Sequence, residues 1–218
     1  MGDFLLDFSV NTYEAFTVYV LIMALFRFPI RSHLSYAILA SAIMAQSSYL
    51  MRLVFHLYSY TSLVMLLLFI VLFWLLFRVH PFYSLLMTVT GYLVYIVIQA
   101  TLMLVLQIWF SLEEIVTPLI HVKMMQTGCA SITLILALWV NQKRLGFSFV
   151  PEGSRIKLKL TSLNLMLLLV SIAASLLITG AANLFLSGGM LMSLIIALCL
   201  LTILIIMNLA YRREMADD

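Results

Sequence analysis

Charge is what this sequence has least of. Only 10% of its 218 residues are Asp, Glu, Lys or Arg, against 65% hydrophobic. Soluble domains carry roughly 25% charged residues, and a chain this poor in charge cannot cover a water-exposed surface. Proline is also scarce: Pro29, Pro81, Pro118 and Pro151 are all there are. The two cysteines, Cys129 and Cys199, fall inside apolar runs. They exclude a disulfide framework and a CxxC site, and read as buried, inert thiols. A positively charged n-region is missing too. The first apolar run follows Asp3, Asp7 and Glu14, and no small-residue cleavage pattern comes after it, so it is expected to be a span and not a removable signal.

What is present is a series of apolar runs near the roughly 20 residues needed to cross about 30 Å of hydrocarbon. The expected fold is an all-α polytopic membrane protein, a single membrane domain over residues 1–218. Its seven spans are expected near 12–27, 34–52, 60–78, 83–109, 116–141, 161–180 and 189–211. The four prolines lie in the connections or at helix starts, where a missing N–H costs least. Gly188 and Gly189 punctuate the last turn.

Orientation is read from Lys and Arg in the short connections. With the amino terminus outside and the carboxyl terminus cytoplasmic, the inner segments hold Arg27, Arg31, Arg78, Lys143, Arg144, Arg155, Lys157, Lys159, Arg212 and Arg213. Arg52 is left outside and Lys123 within a span. Asp3, Asp7, Glu14, Glu113 and Glu114 then fall at or beyond the outer face. The largest connection, NQKRLGFSFVPEGSRIKLKL, is internal and basic; it either touches anionic headgroups or binds a soluble partner.

Polar side chains at membrane depth are costly and usually face protein or a water-filled cavity. Chain direction and a rise of about 1.5 Å per residue place Glu14 near the outer end of the first helix. The same reasoning places Gln46, Ser47, Ser48 and Arg52 in the outer half of the second, and Gln99 and Gln107 toward that side in the fourth. His121, Lys123 and Gln126 follow Glu113 and Glu114 in the outer half of the fifth, where Lys123, Gln126 and Thr127 share a face. The inner halves offer mainly Asn164 and Asn208. An open-topped, mixed-charge cavity would explain this imbalance, with Glu14, Gln46, Arg52, Gln99, Glu113, Lys123 and Gln126 as candidate ligand-binding residues. The competing reading is structural. Arg52 snorkels to headgroups, Gln46 and Gln99 join helices at about 0.6 to 2 kcal/mol per bond, and Lys123 pairs with Glu113 or Glu14.

No enzyme is expected. HExxH, GxSxG and a phosphate-cradling Gly-rich loop are missing. His33, His56, His80 and His121 alternate between membrane sides, which disfavours a shared metal. The string EEIVTP begins like the EExxxR motif of intramembrane prenyl-protein proteases but carries Pro118 in place of the arginine. No cofactor and no nucleic-acid partner is expected. The small residues of SIAASLLITGAANLFLSGG are expected to pack helices closely.

The last helix has no glycine or proline after Gly189 and continues through NLAYRREMADD in good helix formers. It is expected to project a turn or two beyond the inner leaflet, anchored by Arg212 and Arg213. The opening VNTYEAFTVYVLIMALFRFPIR, an early acid followed by a short basic turn, resembles the start of the membrane sensor region of accessory-gene-regulator-type receptor histidine kinases and their relatives with a GHKL ATP-binding domain. KRLGFSFVP after the fifth helix is similar to the inner loop of such sensors. The resemblance implies a receptor in a bacterial cytoplasmic membrane for an extracellular signal, often a peptide, working as a homodimer. In that family the kinase machinery follows the last span, whereas this sequence stops at Asp218, so kinase activity is excluded for these residues. A sensor module lacking its output domain, one acting through a separate cytoplasmic partner, and a fragment all fit. The leading expectation is thus a sensor module, in which an extracellular peptide or small molecule enters among the outer polar residues. The alternative is a small transport protein or substrate-capturing subunit.

Overall fold

The computed structural model describes residues 2–55, 58–111, 114–115, 117, 119–150, 161–184 and 192–217. Among them are seven α-helices and no strand: α1 Gly2–Leu25, α2 Ile30–Tyr49, α3 Tyr58–Leu76, α4 Pro81–Leu106, α5 Leu119–Lys143, α6 Ser162–Leu184 and α7 Met192–Asp217. A π-helical turn, Leu50–Val54, extends α2. Six of the helices are long and apolar enough to cross a membrane, and α3 offers a shorter apolar stretch, Tyr60–Leu76. Large side chains such as Leu75, Trp109, Ile135, Leu176 and Leu204 lie on the outside, while Thr17, Ser84, Thr88 and Thr133 are fully enclosed. A bundle whose outer surface is this apolar is built for lipid, where each helix must satisfy its own backbone.

The largest departure from expectation is at the start. The first helix begins at Gly2, ten residues before the expected 12. No proline interrupts residues 2–28, and the polar side chains of this turn satisfy themselves along the helix. Ser9 Oγ donates to Leu5 O at 2.7 Å, Thr12 Oγ1 to Phe8 O at 2.7 Å, and Asn11 Nδ2 to Asp7 Oδ2 at 2.9 Å. The apolar phase ends at Phe8 but the helix does not. Glu14 is therefore not near an outer end. It stands about 15 Å from Phe4 and about 16 Å from Leu25 along the axis, in the middle of the span.

Contacts fix how the helices alternate. Phe4 meets Tyr49 edge-on at 4.7 Å and Phe28 meets His33 at 6.2 Å, so α1 and α2 are antiparallel. Asp7 meets Lys123 near one end, and Phe147 N donates to Leu25 O at 2.8 Å near the other, so α1 and α5 run the same way. Within this frame α4 is central, packed against α1, α3, α5, α6 and α7. One end of the bundle gathers the ends of α1, α3, α5 and α7 with the starts of α2, α4 and α6. Every described Lys and Arg except Arg52 and Lys123 belongs to this basic end. Three of them sit where a helix stops: Arg27 (φ 51°), Arg78 (φ 54°) and Arg144 (φ 52°) all adopt the left-handed conformation.

Aromatic packing holds α1 to α3. The Tyr19 ring lies 4.3 Å from Phe69, 5.1 Å from Phe73 and 5.8 Å from Phe77, all at the core. On α6 the buried Leu167, Ser171, Ala174 and Ile178 form the inward stripe. The small residues of that helix thus serve packing as expected at Ser171 and Ala174, whereas Gly180 faces open space. Pro81 opens α4 at its first turn, where the His80 ring accepts from Phe82 N at 3.3 Å.

Glycine is required at two close approaches. A Cβ on Gly91 would stand 2.2 Å from Ile22 Cγ1, and one on Gly146 would stand 2.5 Å from Ala24 O. We expect Gly91→Ala to destabilise the detergent-solubilised protein by about 1–3 kcal/mol through overpacking. Combining it with Ile22→Ala should recover part of the loss. Thermal unfolding of the two variants checks this, and equal losses would show that α1 and α4 do not meet there.

Candidate functional site

Asp7, Asn11 and Glu14 are spaced four and three apart, so they form one polar stripe on α1. Lys123 and Gln126 are three apart on α5 and face that stripe. The Lys123 ammonium, 6% exposed, forms an ion pair with Asp7 Oδ1 and donates to Asn11 Oδ1 at 3.4 Å. Gln126 Nε2 donates to Glu14 Oε2 at 3.3 Å. From α4, Tyr95 donates its hydroxyl to the other oxygen of Glu14 at 2.5 Å. Cys129, one turn beyond Gln126, is a buried free thiol, and its carbonyl accepts from Thr133 Oγ1 at 2.8 Å. Three helices are thus cross-linked by hydrogen-bonded, partly charged groups.

Arg52, on the π-helical turn, is exposed but acts electrostatically on Glu14. Asp7 and Glu14 are balanced in formal charge by Lys123 and Arg52. A π-turn adds a residue per turn and often marks functional segments. Here Phe55 N donates to Leu50 O at 3.0 Å to close it.

The expected site residues separate into two groups. Glu14, Lys123 and Gln126 are brought together directly, with Arg52 within electrostatic reach. Gln46 is exposed on the outer face of α2, and Gln99 is half-buried on α4 one turn beyond Tyr95. Glu113 lies outside the described residues. Lys123 pairs with Asp7 and not with Glu14, because α1 extends far enough to carry Asp7 alongside α5. Thr127 does not share the inward face; it is exposed and its hydroxyl donates back to Lys123 O at 2.8 Å. His121 also points away, and its Nδ1–H donates to Glu114 O at 2.8 Å. Glu114 forms a reciprocal cap with Ser111: Ser111 N donates to Glu114 Oε2 at 2.8 Å and Glu114 N donates to Ser111 Oγ at 3.3 Å. The Ser111 backbone N–H, and after it the Ser111 side chain, holds the Glu114 carboxyl below its usual range.

The cavity beside this cluster is not lined by the expected residues. It is a groove of 450 Å³ between α1 and α2, lined by Phe8, Ser9, Thr12, Tyr13, Phe16, Ile38 and Ser41. Its hydroxyls are mostly spent on local carbonyls, with Ser41 Oγ bonded to Ala37 O at 2.6 Å. The groove therefore suits an amphipathic or apolar guest. Tyr13 joins it to α5, its hydroxyl lying 3.2 Å from Ser131 Oγ. Among buried atoms of the cluster, Gln126 Oε1 has no donor.

A second cluster, at the basic end, was not expected. Arg213 donates to Asn164 Oδ1 and, through Nη2 at 2.7 Å, to the Tyr83 hydroxyl. Its guanidinium lies 5.3 Å from the Tyr83 ring centre and 5.4 Å from that of Phe149. Next to it, Glu214 accepts from Ser148 N at 3.1 Å and from the Ser148 hydroxyl. The end of α7 is therefore docked on α4, α6 and residues 147–149, and does not stand free as a projecting rod. Asn164 is buried in this arrangement and Asn208 is exposed. The clue in the sequence was an aromatic pair, Phe147 and Phe149, beside a basic run.

Comparison with protein-family models, with curated proteins and with solved structures finds no match.

Removing one partner of a buried ion pair leaves an uncompensated charge, at a cost of about 3–5 kcal/mol. Lys123→Met is expected to lower detergent-phase stability on that scale, and Asp7→Asn with Lys123→Met to restore most of it. A double-mutant cycle by thermal unfolding measures the coupling. Additive losses would mean that the two side chains do not interact.

Proposed function

We propose that this chain is a sensor-like, multi-pass module of a bacterial cytoplasmic membrane, with the basic end facing the cytoplasm and the amino terminus outside. The concentration of Arg27, Arg31, Arg78, Lys143, Arg144, Arg212 and Arg213 at one end supports this orientation through the positive-inside bias. An extracellular amphipathic ligand, such as a short peptide, enters the groove between α1 and α2. Its binding shifts α1 against α5, the two helices tied by Asp7, Glu14, Lys123 and Gln126. The response leaves at the basic end, where α7 is docked on α4, toward a second copy of the chain or a separate cytoplasmic signalling partner.

The observation that carries this reading is the cross-linked cluster at mid-span. Glu14 alone touches α4 and α5 through Tyr95 and Gln126. A network with fixed partners favours discrete arrangements over gradual ones, and a ligand acts on it through differential affinity for two of them. Ser9 and Ile38 line the groove without belonging to the network.

The test places spin labels at Leu145→Cys and Arg212→Cys, both exposed, in nanodisc-embedded protein; Cys129 and Cys199 are buried and stay unlabelled. The distance distribution is measured with and without peptide concentrate from spent growth medium. A change that Ile38→Trp abolishes by filling the groove is the expected result. An unchanged distribution would count decisively against signalling.

A second reading, solute transport, is favoured by one feature: Glu14 lies halfway along its span beside the donor-free Gln126 Oε1. An acid at that depth suits a coupled solute or proton path. Uptake into proteoliposomes that Glu14→Gln abolishes would support transport, since a sensor moves nothing.

A further inference from the structure

At the basic end a pocket of 490 Å³ opens between the ends of α1 and α5 and the connection that leads into α2, lined by Ala24, Arg27, Phe28, Pro29, Asn141 and Arg144. Two arginines from separate helix ends meet on it, and among the described residues no carboxylate lines it. Among the described residues the one ion pair, Lys123–Asp7, is elsewhere. Both side chains are exposed, and like charges drawn to one concave site repel. Arginine at a helix end does complement the dipole, but that role needs no pocket and no convergence of two helices.

The backbone sharpens the point. Arg27 and Arg144 both occupy the left-handed region, at φ 51° and 52°, where glycine is the usual choice and other residues are strained. Arg78 has the same conformation at the end of α3 (φ 54°) but does not line the pocket, so it supplies an internal comparison. Asn141 adds an amide on the same wall as Arg144, one turn earlier. Phe28, which is buried, and Pro29 complete the lining.

We infer that this pocket binds a phosphate group, held between the Arg27 and Arg144 guanidiniums with the Asn141 amide as a further donor. Guanidinium forks match phosphoryl oxygens in geometry as well as charge. The site lies at the depth of a bilayer surface whichever way the protein is oriented, so the group belongs either to a phospholipid headgroup or to a free phosphate in solution. This inference does not depend on the sensor reading, and the residues it uses are separate from the mid-span cluster.

The test compares wild type, Arg27→Gln with Arg144→Gln, and Arg78→Gln in two arms. In the first, native mass spectrometry scores retention of phosphatidic acid and phosphatidylglycerol against phosphatidylcholine. In the second, inorganic phosphate and pyrophosphate are titrated into detergent-solubilised protein by calorimetry. The paired substitution is expected to weaken binding by roughly ten- to hundredfold, two charge-assisted bonds being lost, while Arg78→Gln leaves it unchanged. Loss confined to the first arm assigns a lipid headgroup; loss in the second assigns free phosphate. Thermal unfolding confirms that the variants are folded, and Arg27→Lys with Arg144→Lys keeps the charge while removing the fork. No binding in either arm, or equal loss in Arg78→Gln, overturns the proposal.

Discussion

A lysine that is almost fully enclosed among apolar helices is the constraint on which the bundle turns. An ammonium there is tolerable only if a carboxylate and further acceptors come with it, and Asp7 and Asn11 supply both. Those two residues reach Lys123 only because α1 begins at Gly2 and runs parallel to α5. The pair therefore sets the register of α1 on α5, and the register in turn brings Glu14 to Gln126 and to Tyr95 of α4. Apolar packing against lipid-like surroundings provides little preference among rotations of a helix, since one leucine face resembles another. Polar pairs provide that preference at modest energy each. The first three turns of α1 are thus the part of the structure that orders the rest.

The two ends of the molecule are held by different physics. Toward the start of α1, charge pairs and amide bonds act between helices with few aromatic contacts beyond Phe4, Phe8 and Tyr49. At the basic end, one guanidinium is bound by an amide and a phenol and flanked by two rings, while Phe26 and Phe147 pack against one of these, Phe149. Gly146 lets the chain after α5 pass against the carbonyls of Ala24 and Leu25. The result ties α1, α4, α6 and α7 at one level. Leu25 joins α1 to that level: its carbonyl accepts from Phe147 N, and the Phe147 ring lies 5.9 Å from that of Phe149, which flanks Arg213.

Much of the architecture was legible in the sequence. The seven described helices, with Pro29 and Pro81 at their borders, emerge from apolar length alone, and the segregation of arginines to alternate connections follows from their spacing. Where boundaries were misjudged, the cause was the use of polarity as a stop signal. Asp7, Asn11 and Thr12 look like an aqueous prelude, but each satisfies its side chain within the helix or across to α5. Glu14, Lys123 and Gln126 were nominated for their cost at membrane depth, and they fall in one cluster. Gln46 and Gln99 were nominated for the same reason and do not join them, since depth says nothing of azimuth in helices that are apolar all round. The Tyr83–Asn164–Arg213 cluster draws one residue from each of three helices far apart in the chain, which no local pattern reveals.

The sequence by itself determined that the chain forms a series of long apolar helices and which connections carry positive charge, because these depend on side-chain hydropathy summed along one segment at a time. Only the tertiary structure decided which polar groups meet. Pairing depends on the rotation and register of one helix against another, and those are set by a few contacts between residues more than a hundred positions apart. That is why Asp7 of α1 meets Lys123 of α5, and why Arg27 and Arg144 come to share a single pocket.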